Sequence, residues 1–290
     1  MTVIELIEAA ARQLADAGVA FGHGTANAFD EAAWLVLWKL GHPLDDIDAA
    51  ADQLVSKEQQ LEVDALLATR ISTRKPAAYL TNEAWLQGVP FYVDERTIVP
   101  RSFIAELIAD GGFDAWLGPH TTTVLDLCTG NGSLAVLSAM AWPDVKVEAA
   151  DISTDALAVA QINVGKHGLA DRITLISSDG LGSVDGPYDL IVCNPPYVNA
   201  HSMAALPAEY QAEPQLALAG GTDGMDFIRA MLRAAPAKMT PHAVLVLEIG
   251  NEWDNFIAAF PRLEAIGLAT SAGDEQVLLL TRESIEHQNS

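Results

Sequence analysis

Thr123-Val124-Leu125-Asp126-Leu127-Cys128-Thr129-Gly130-Asn131-Gly132 is the stretch that decides the fold. Its first five residues are mostly apolar and of a length that suits a buried strand. Gly130 and Gly132 then let the backbone turn tightly and pass close to a ligand. The apolar residues that follow, through Met140, read as a helix leaving the turn. Strand, glycine loop and helix in this order open a doubly wound α/β domain. The alternation continues downstream, with strands predicted over residues 145–150, 173–176, 190–193, 244–249 and 277–280, and a helix over 154–167. Upstream, a helix is predicted over 102–117. The strands are apolar runs rather than strict alternations, as in a sheet covered on both faces. In such sheets ligands bind beyond the carboxyl ends of the strands.

The chain before this domain has a different texture. Ile4, Leu6, Ile7, Ala10, Ala11 and Leu14 share one helical face. Asn27 is placed to cap a second helix carrying Phe29, Ala32, Ala33, Leu35, Val36 and Leu40. Ser56 and Gln59 form a capping-box pattern, and a third helix is predicted to about Arg74. From 78 to 99, aromatic and β-branched residues are broken by Asn82, Gly88 and Pro90. That predicts a β-hairpin with strands at Trp85-Leu86 and Phe91-Tyr92-Val93. The expected organisation is a helical N-terminal domain over 1–77, a hairpin linker over 78–100 and the α/β domain over 101–290.

Composition narrows the class. Half of the 290 residues are hydrophobic and 19% are charged, enough material for two cores. No apolar run approaches the roughly 20 residues of a membrane span. The start, Met1 to Leu6, lacks the basic flank of a signal peptide. Cys128 and Cys193 form no CxxC, which predicts a reducing compartment, expected to be the cytoplasm. The seven histidines show no paired spacing, so no metal site is expected. A formal charge of -23 repels nucleic-acid phosphates and attracts a basic protein. Direct nucleic-acid binding is not expected.

The residues after the strands supply the chemistry. With Ala135 the loop satisfies G-x-G-x-x-G/A, and Asp151 follows about 20 residues on, the spacing of an acid that holds ribose hydroxyls. This alone fits NAD as well as S-adenosylmethionine, and a plain tight turn would also use these glycines. Asp126 discriminates. A carboxylate four residues before Gly130 suits the ammonium of S-adenosylmethionine and would repel a pyrophosphate. Asp179 is placed to meet the adenine edge, although it could equally cap its own loop. The expected cofactor set is Asp126, Cys128, Thr129, Gly130, Asn131, Gly132, Asp151, Ile152, Asp179, Gly180 and Asn194.

Asn194-Pro195-Pro196-Tyr197 follows the apolar strand directly. An amide or aromatic amine nitrogen is a poor nucleophile because its lone pair is delocalised. It must be held with that lone pair aimed at an electrophilic methyl. Prolines present no N–H to compete, and Pro195 biases Asn194 toward an extended backbone. The turn can then offer two acceptors, the Asn194 side-chain oxygen and the Pro195 carbonyl, beside the flat face of Tyr197. These four are the expected catalytic residues, with orientation rather than a strong base as their contribution. A rigid surface turn is the structural alternative.

These motifs resemble the HemK family of N(5)-glutamine methyltransferases. The resemblance covers nearly the whole chain and includes Glu213-Pro214 through Gly220-Gly221-Thr222-Asp223-Gly224. It implies a Rossmann-like class I methyltransferase domain with a mostly parallel seven-stranded sheet, a small helical N-terminal domain and a hairpin linker. It also implies S-adenosylmethionine as donor and S-adenosylhomocysteine as product. Phe21 to Thr25, Tyr79 to Trp85 and Val99 to Ser102 resemble the branch whose substrate is large-subunit ribosomal protein uL-three (uL3). That implies this protein as partner, before or during ribosome assembly. The branch that modifies peptide release factors has a proline where Ser102 stands, and Cys128 departs from the commoner loop. The helical domain and hairpin are expected to select the substrate, with His23, Trp85, Arg101 and Ser102 marking the surface. Release-factor glutamine methylation, nucleic-acid adenine methylation and a non-enzymatic assembly role are the alternatives.

Overall fold

Short-range capping fixes the first helices of the computed structural model, which describes residues 1–290. In α1 (Val3–Asp16) the Glu5 amide donates to the Thr2 hydroxyl and the Thr2 amide donates to the Glu5 carboxylate. Asn27 caps α2 (Ala28–Leu40) by accepting from the amides of Phe29 and Asp30. After the single turn α3 (Ile47–Ala50), Ser56 and Gln59 make the reciprocal cap of α4 (Lys57–Thr73). Leu6, Leu14, Leu35, Leu37, Val63 and Leu67 meet in one core between these helices.

A short α5 (Ala77–Thr81) leads into the hairpin of β1 (Ala84–Leu86) and β2 (Val89–Phe91). The second strand begins earlier than predicted. Gln87 and Gly88 both take positive φ, so a two-residue turn pairs Leu86 with Val89 and sets the register. Tyr92 therefore leaves the ladder, and its amide donates to the Asn163 side chain instead. The helix predicted over 102–117 is also shorter. α6 (Ile104–Asp110) stops at Gly111, whose φ of 68° closes the last turn.

The sheet domain follows as β3 (Thr123–Leu127), α7 (Ser133–Ala141), β4 (Lys146–Asp151), α8 (Thr154–Lys166), β5 (Ile173–Ser177) and β6 (Tyr188–Cys193). Then come α9 (Ala200–Ala205), α10 (Ala208–Gln211), α11 (Asp226–Ala234), β7 (Met239–Glu248), α12 (Trp253–Ala259), β8 (Ile266–Gly267), β9 (Val277–Thr281) and α13 (Arg282–Asn289). The seven strands lie in the order β5-β4-β3-β6-β7-β9-β8. Pairings from β5 to β7 are parallel, and β9 runs antiparallel to both neighbours. This is the mostly parallel Rossmann-like sheet that was expected. The two-residue period sorts its side chains. Val124, Val192, Val246 and Leu279 join the core on one face, and Leu125, Ile191, Leu245 and Leu278 that on the other. From β3 the chain builds outward to β4 and β5, then returns to β6 on the opposite side. The switch point therefore lies at the carboxyl ends of β3 and β6. No helix is long and apolar enough to cross a membrane.

Candidate active site

Leu127 pairs with Cys193, so the glycine loop and the tetrapeptide leave adjacent parallel strands at the same end. Two cavities open there. The first, of about 190 Å³, is walled by Cys128 and Gly130 of the loop, by Asp151 at the end of β4 with Ile152 and Ser153 after it, and by Ser178, Asp179 and Gly180 after β5. Asn194 and Pro196 complete it. The second, of about 340 Å³, is walled by Arg101, Phe103, Pro195, Tyr197, Tyr210 and Glu248. Asn194, Ile98 and Ala217 line both. Asn194 thus stands where the two cavities meet.

The loop is held from below. Asp126 is fully buried, and its Oδ2 accepts from the Thr129 hydroxyl and from the Ala135 amide in the first turn of α7. Burial pushes its carboxyl up to about 7, against those two hydrogen bonds. Asp126 is not in the wall of either cavity: its Oδ2 braces the loop, while its buried Oδ1 has no partner within the chain and is left for the expected contact with a ligand ammonium. Thr129, Asn131 and Gly132 also stand behind the wall rather than in it. Thr129 serves Asp126. The Asn131 side chain accepts from the Ser133 amide, and its carbonyl accepts from Asn163. A Cβ on Gly132 would come 3.1 Å from that of Ala160, so this glycine permits α8 to pack. Cys128, Gly130, Asp151, Ile152, Asp179, Gly180 and Asn194 do line the first cavity.

Asp151 joins two strands' ends. Its oxygens accept from the Gly130 amide and the Ser153 amide, each at 2.9 Å. Burial raises its pKa, with those amides and that of Ile152 opposing. The donor set fits S-adenosylmethionine. Asp151 and Asp179 offer acceptors, while Ile152, Pro196, Leu216 and Phe227 offer apolar walls. The only cation in the wall, Arg96, already pairs with Asp94 through two of its nitrogens, and the two carboxylates that face the same space disfavour a pyrophosphate. Nothing lies within 4 Å of where a Gly130 Cβ would stand, so the backbone faces the cavity bare.

The tetrapeptide is braced in turn. The Val198 amide donates to the Leu218 carbonyl, and the Gly220 amide donates to the Val198 carbonyl. A Cβ on Gly224 would collide with the Tyr197 carbonyl. The segment from Glu213 to Gly224, quoted above without a role, is thus the backbone support of the turn. It also supplies Pro214, Leu216 and Ala217 to the first cavity. These residues, together with Arg96, Thr97 and Ile98 of the linker, escaped the reading of the sequence. The Glu213-Pro214 motif was the available signal.

Glu213 is buried beneath the junction of linker and domains. Arg101 donates to both its oxygens at 2.6 and 2.7 Å, the Val99 amide donates at 2.8 Å, and the His23 ring lies 3.5 Å away. Burial alone would raise its pKa, but the His23 and Arg101 partners outweigh it and hold the carboxyl at about 2. His23 and Ser102 are buried and Arg101 is a quarter exposed. For His23 and Ser102 the expectation of a substrate-facing surface is corrected, since they are buried and tie the chain's own units together, whereas Arg101 also lines the second cavity. Trp85, at 46% exposure, does face outward.

A family model described as methyltransferase small domain matches residues 113–213. The chain is 50% identical over 287 residues to a protein of Bordetella pertussis named ribosomal protein uL3 glutamine methyltransferase, covering 98% of this chain and 96% of that one. A protein of the same name from Neisseria gonorrhoeae is 46% identical, over 98% of this chain and 95% of that one. Among solved structures, the hMettl16 catalytic domain superposes with a TM-score of 0.52 at 11% identity, covering 78% of this chain and 82% of that one. At that identity the likeness is one of fold.

Proposed function

We propose a function from one premise: the chain belongs to the family of ribosomal protein uL3 glutamine methyltransferases. It transfers a methyl group to the side-chain amide nitrogen of a glutamine in uL3. The observation that carries this reading is the place of Asn194, in the wall common to two cavities. One cavity takes the methyl donor and the other the glutamine. S-adenosylmethionine, when bound, supplies an electrophilic methyl and a neutral sulfur leaving group. Asp151, Asp179, Gly130, Gly180, Cys128 and Ile152 hold it.

On the other side, the Asn194 side-chain oxygen and the Pro195 carbonyl accept the two amide hydrogens of the glutamine. That leaves the nitrogen lone pair directed toward the first cavity. Pro195 and Pro196 bring no competing N–H, and Tyr197 closes the wall against the planar amide. The methylated nitrogen loses its extra proton to solvent afterward, so no strong base is required. The acidic chain meets a basic substrate by charge attraction. Residues 1–77 and the hairpin to 100 present the outward surface that selects it, in the cytoplasm and before or during ribosome assembly.

The test is direct. Purified chain, free uL3 and methyl-labelled S-adenosylmethionine are combined, and digested uL3 is read by mass spectrometry. One methyl on a glutamine side chain is the expected result. Unlabelled uL3, or label on an adenine of added ribosomal RNA, contradicts the reading.

A further inference from the structure

Glu248 ends β7 inside the second cavity. It is 2% exposed, yet no cation pairs with it. Its partners are three neutral donors. The Ser102 hydroxyl and the Phe103 amide donate to Oε2 at 2.5 and 3.0 Å, and the Tyr197 hydroxyl donates to Oε1 at 3.2 Å. A buried carboxylate without a counter-ion is an expensive way to satisfy two hydroxyls and an amide if packing is the whole of its task. What it does accomplish is geometric. It links the turn between linker and α6 to the aromatic wall of the glutamine cavity.

We propose that Glu248 is a positioning residue that fixes the Tyr197 ring for the reaction, and that Ser102 fixes Glu248. The proposal rests on the glutamine methyltransferase reading above. The Gly220 to Gly224 loop packs against the Tyr197 backbone and is hydrogen-bonded to Val198 beside it, and Gly250 lies behind the Tyr197 ring, where a Cβ would stand 2.5 Å from Cε2. Its hydroxyl is the remaining freedom, and Oε1 of Glu248 is its hydrogen-bond partner. With that bond made, the ring keeps one face toward the cavity. Without it, the ring swings and the glutamine amide loses its flat neighbour. Ser102 contributes by holding Oε2, which leaves Oε1 aimed at Tyr197. A proline at 102, as in the release-factor branch, could not donate this bond.

The experiment is a double-mutant cycle on the full chain with uL3 and S-adenosylmethionine. It reads kcat, KM for uL3, cofactor affinity by calorimetry and melting temperature. Tyr197→Phe removes only the hydroxyl. Glu248→Gln and Tyr197→Phe should each lower kcat by roughly ten- to a hundredfold, the scale of one charge-assisted hydrogen bond. Cofactor affinity should stay at the wild-type value. The double variant should fall below the worse single variant by no more than about twofold, because both changes break one linkage. Ser102→Ala should lower kcat less, and that loss should vanish in the Tyr197→Phe background. This second cycle decides the matter should Glu248→Gln fail to fold. Losses that multiply, or a Tyr197→Phe variant with wild-type kcat, overturn the positioning role. A wild-type chain that methylates no glutamine overturns the functional reading beneath it.

Discussion

Asn194 is intermediate in exposure and walls both cavities, so its removal should separate chemistry from binding. The orienting hydrogen bond matters most as charge develops on the nitrogen. Asn194→Ala should therefore lower kcat by roughly 10²–10³, while calorimetry finds cofactor affinity changed far less. Near wild-type turnover would leave the tetrapeptide a structural turn. Asp151 gives the opposite pattern. Its two oxygens already hold the Gly130 and Ser153 amides, and the same carboxylate faces the first cavity. Asp151→Ala should raise the cofactor dissociation constant by roughly ten- to a hundredfold. Unchanged affinity by calorimetry would remove Asp151 from the site. At this scale the sequence was most readable where a residue ends a strand or follows it directly, as Asp151 and Asn194 do. At Asp126 it showed the charge but not the second task, the bracing of the loop through Oδ2. A carboxylate that accepts from Thr129 and Ala135 looks the same in sequence as one that faces a cavity.

Between elements, Glu213 is the chief fastening. It joins Arg101 and the Val99 amide to the segment that braces Tyr197. Its pKa of about 2 in the folded chain lies below the ordinary unfolded value of about 4.3. A depressed carboxyl contributes stability above the unfolded pKa and loses it as pH falls through the folded one. The window is thus about pH 4.5 down to about 2, and the contribution above it is roughly 3 kcal/mol. Melting temperatures of wild type and Glu213→Gln should differ clearly at pH 7 and converge as pH falls below about 4. A gap that stays constant would mean the carboxylate charge is not what stabilises the junction. The elements themselves were largely legible. Apolar runs announced six of the seven sheet strands, and the Ser56–Gln59 box announced α4, whereas the same reciprocal cap at Thr2 and Glu5 went unread. What escaped was set by single backbone angles or by distant partners. Gly111 ends α6 early, the Gln87-Gly88 turn shifts β2, and β8 is a two-residue strand, Ile266–Gly267, defined by its pairing with β9.

At the scale of the whole molecule, the N-terminal helices are locked to the catalytic domain by buried charge. Arg70 is fully buried, donates to Glu31 at 2.8 Å and to the Ala20 carbonyl, and lies 3.4 Å from Glu209 of α10. Removing one member of such a buried set strands the others, so Arg70→Ala should destabilise the chain by about 3–5 kcal/mol. Denaturant unfolding checks this, and a loss under about 1 kcal/mol would show that water already satisfies the carboxylates. The lock fixes the helical domain on the catalytic domain, while the hairpin is held separately against the end of α8 by the Tyr92 and Asn163 bonds and leaves Trp85 outward. Two glutamines in different proteins present the same chemistry to Asn194, so we propose that the choice between them belongs to surface outside the cavities. The central claim, that the chain methylates uL3, is tested most directly by competition. uL3, a peptide release factor and methyl-labelled S-adenosylmethionine are mixed with the chain in one tube, and both proteins are analysed by mass spectrometry. The expected result is label on a glutamine of uL3 and none on the release factor. Label on the release factor with uL3 unmodified would contradict it.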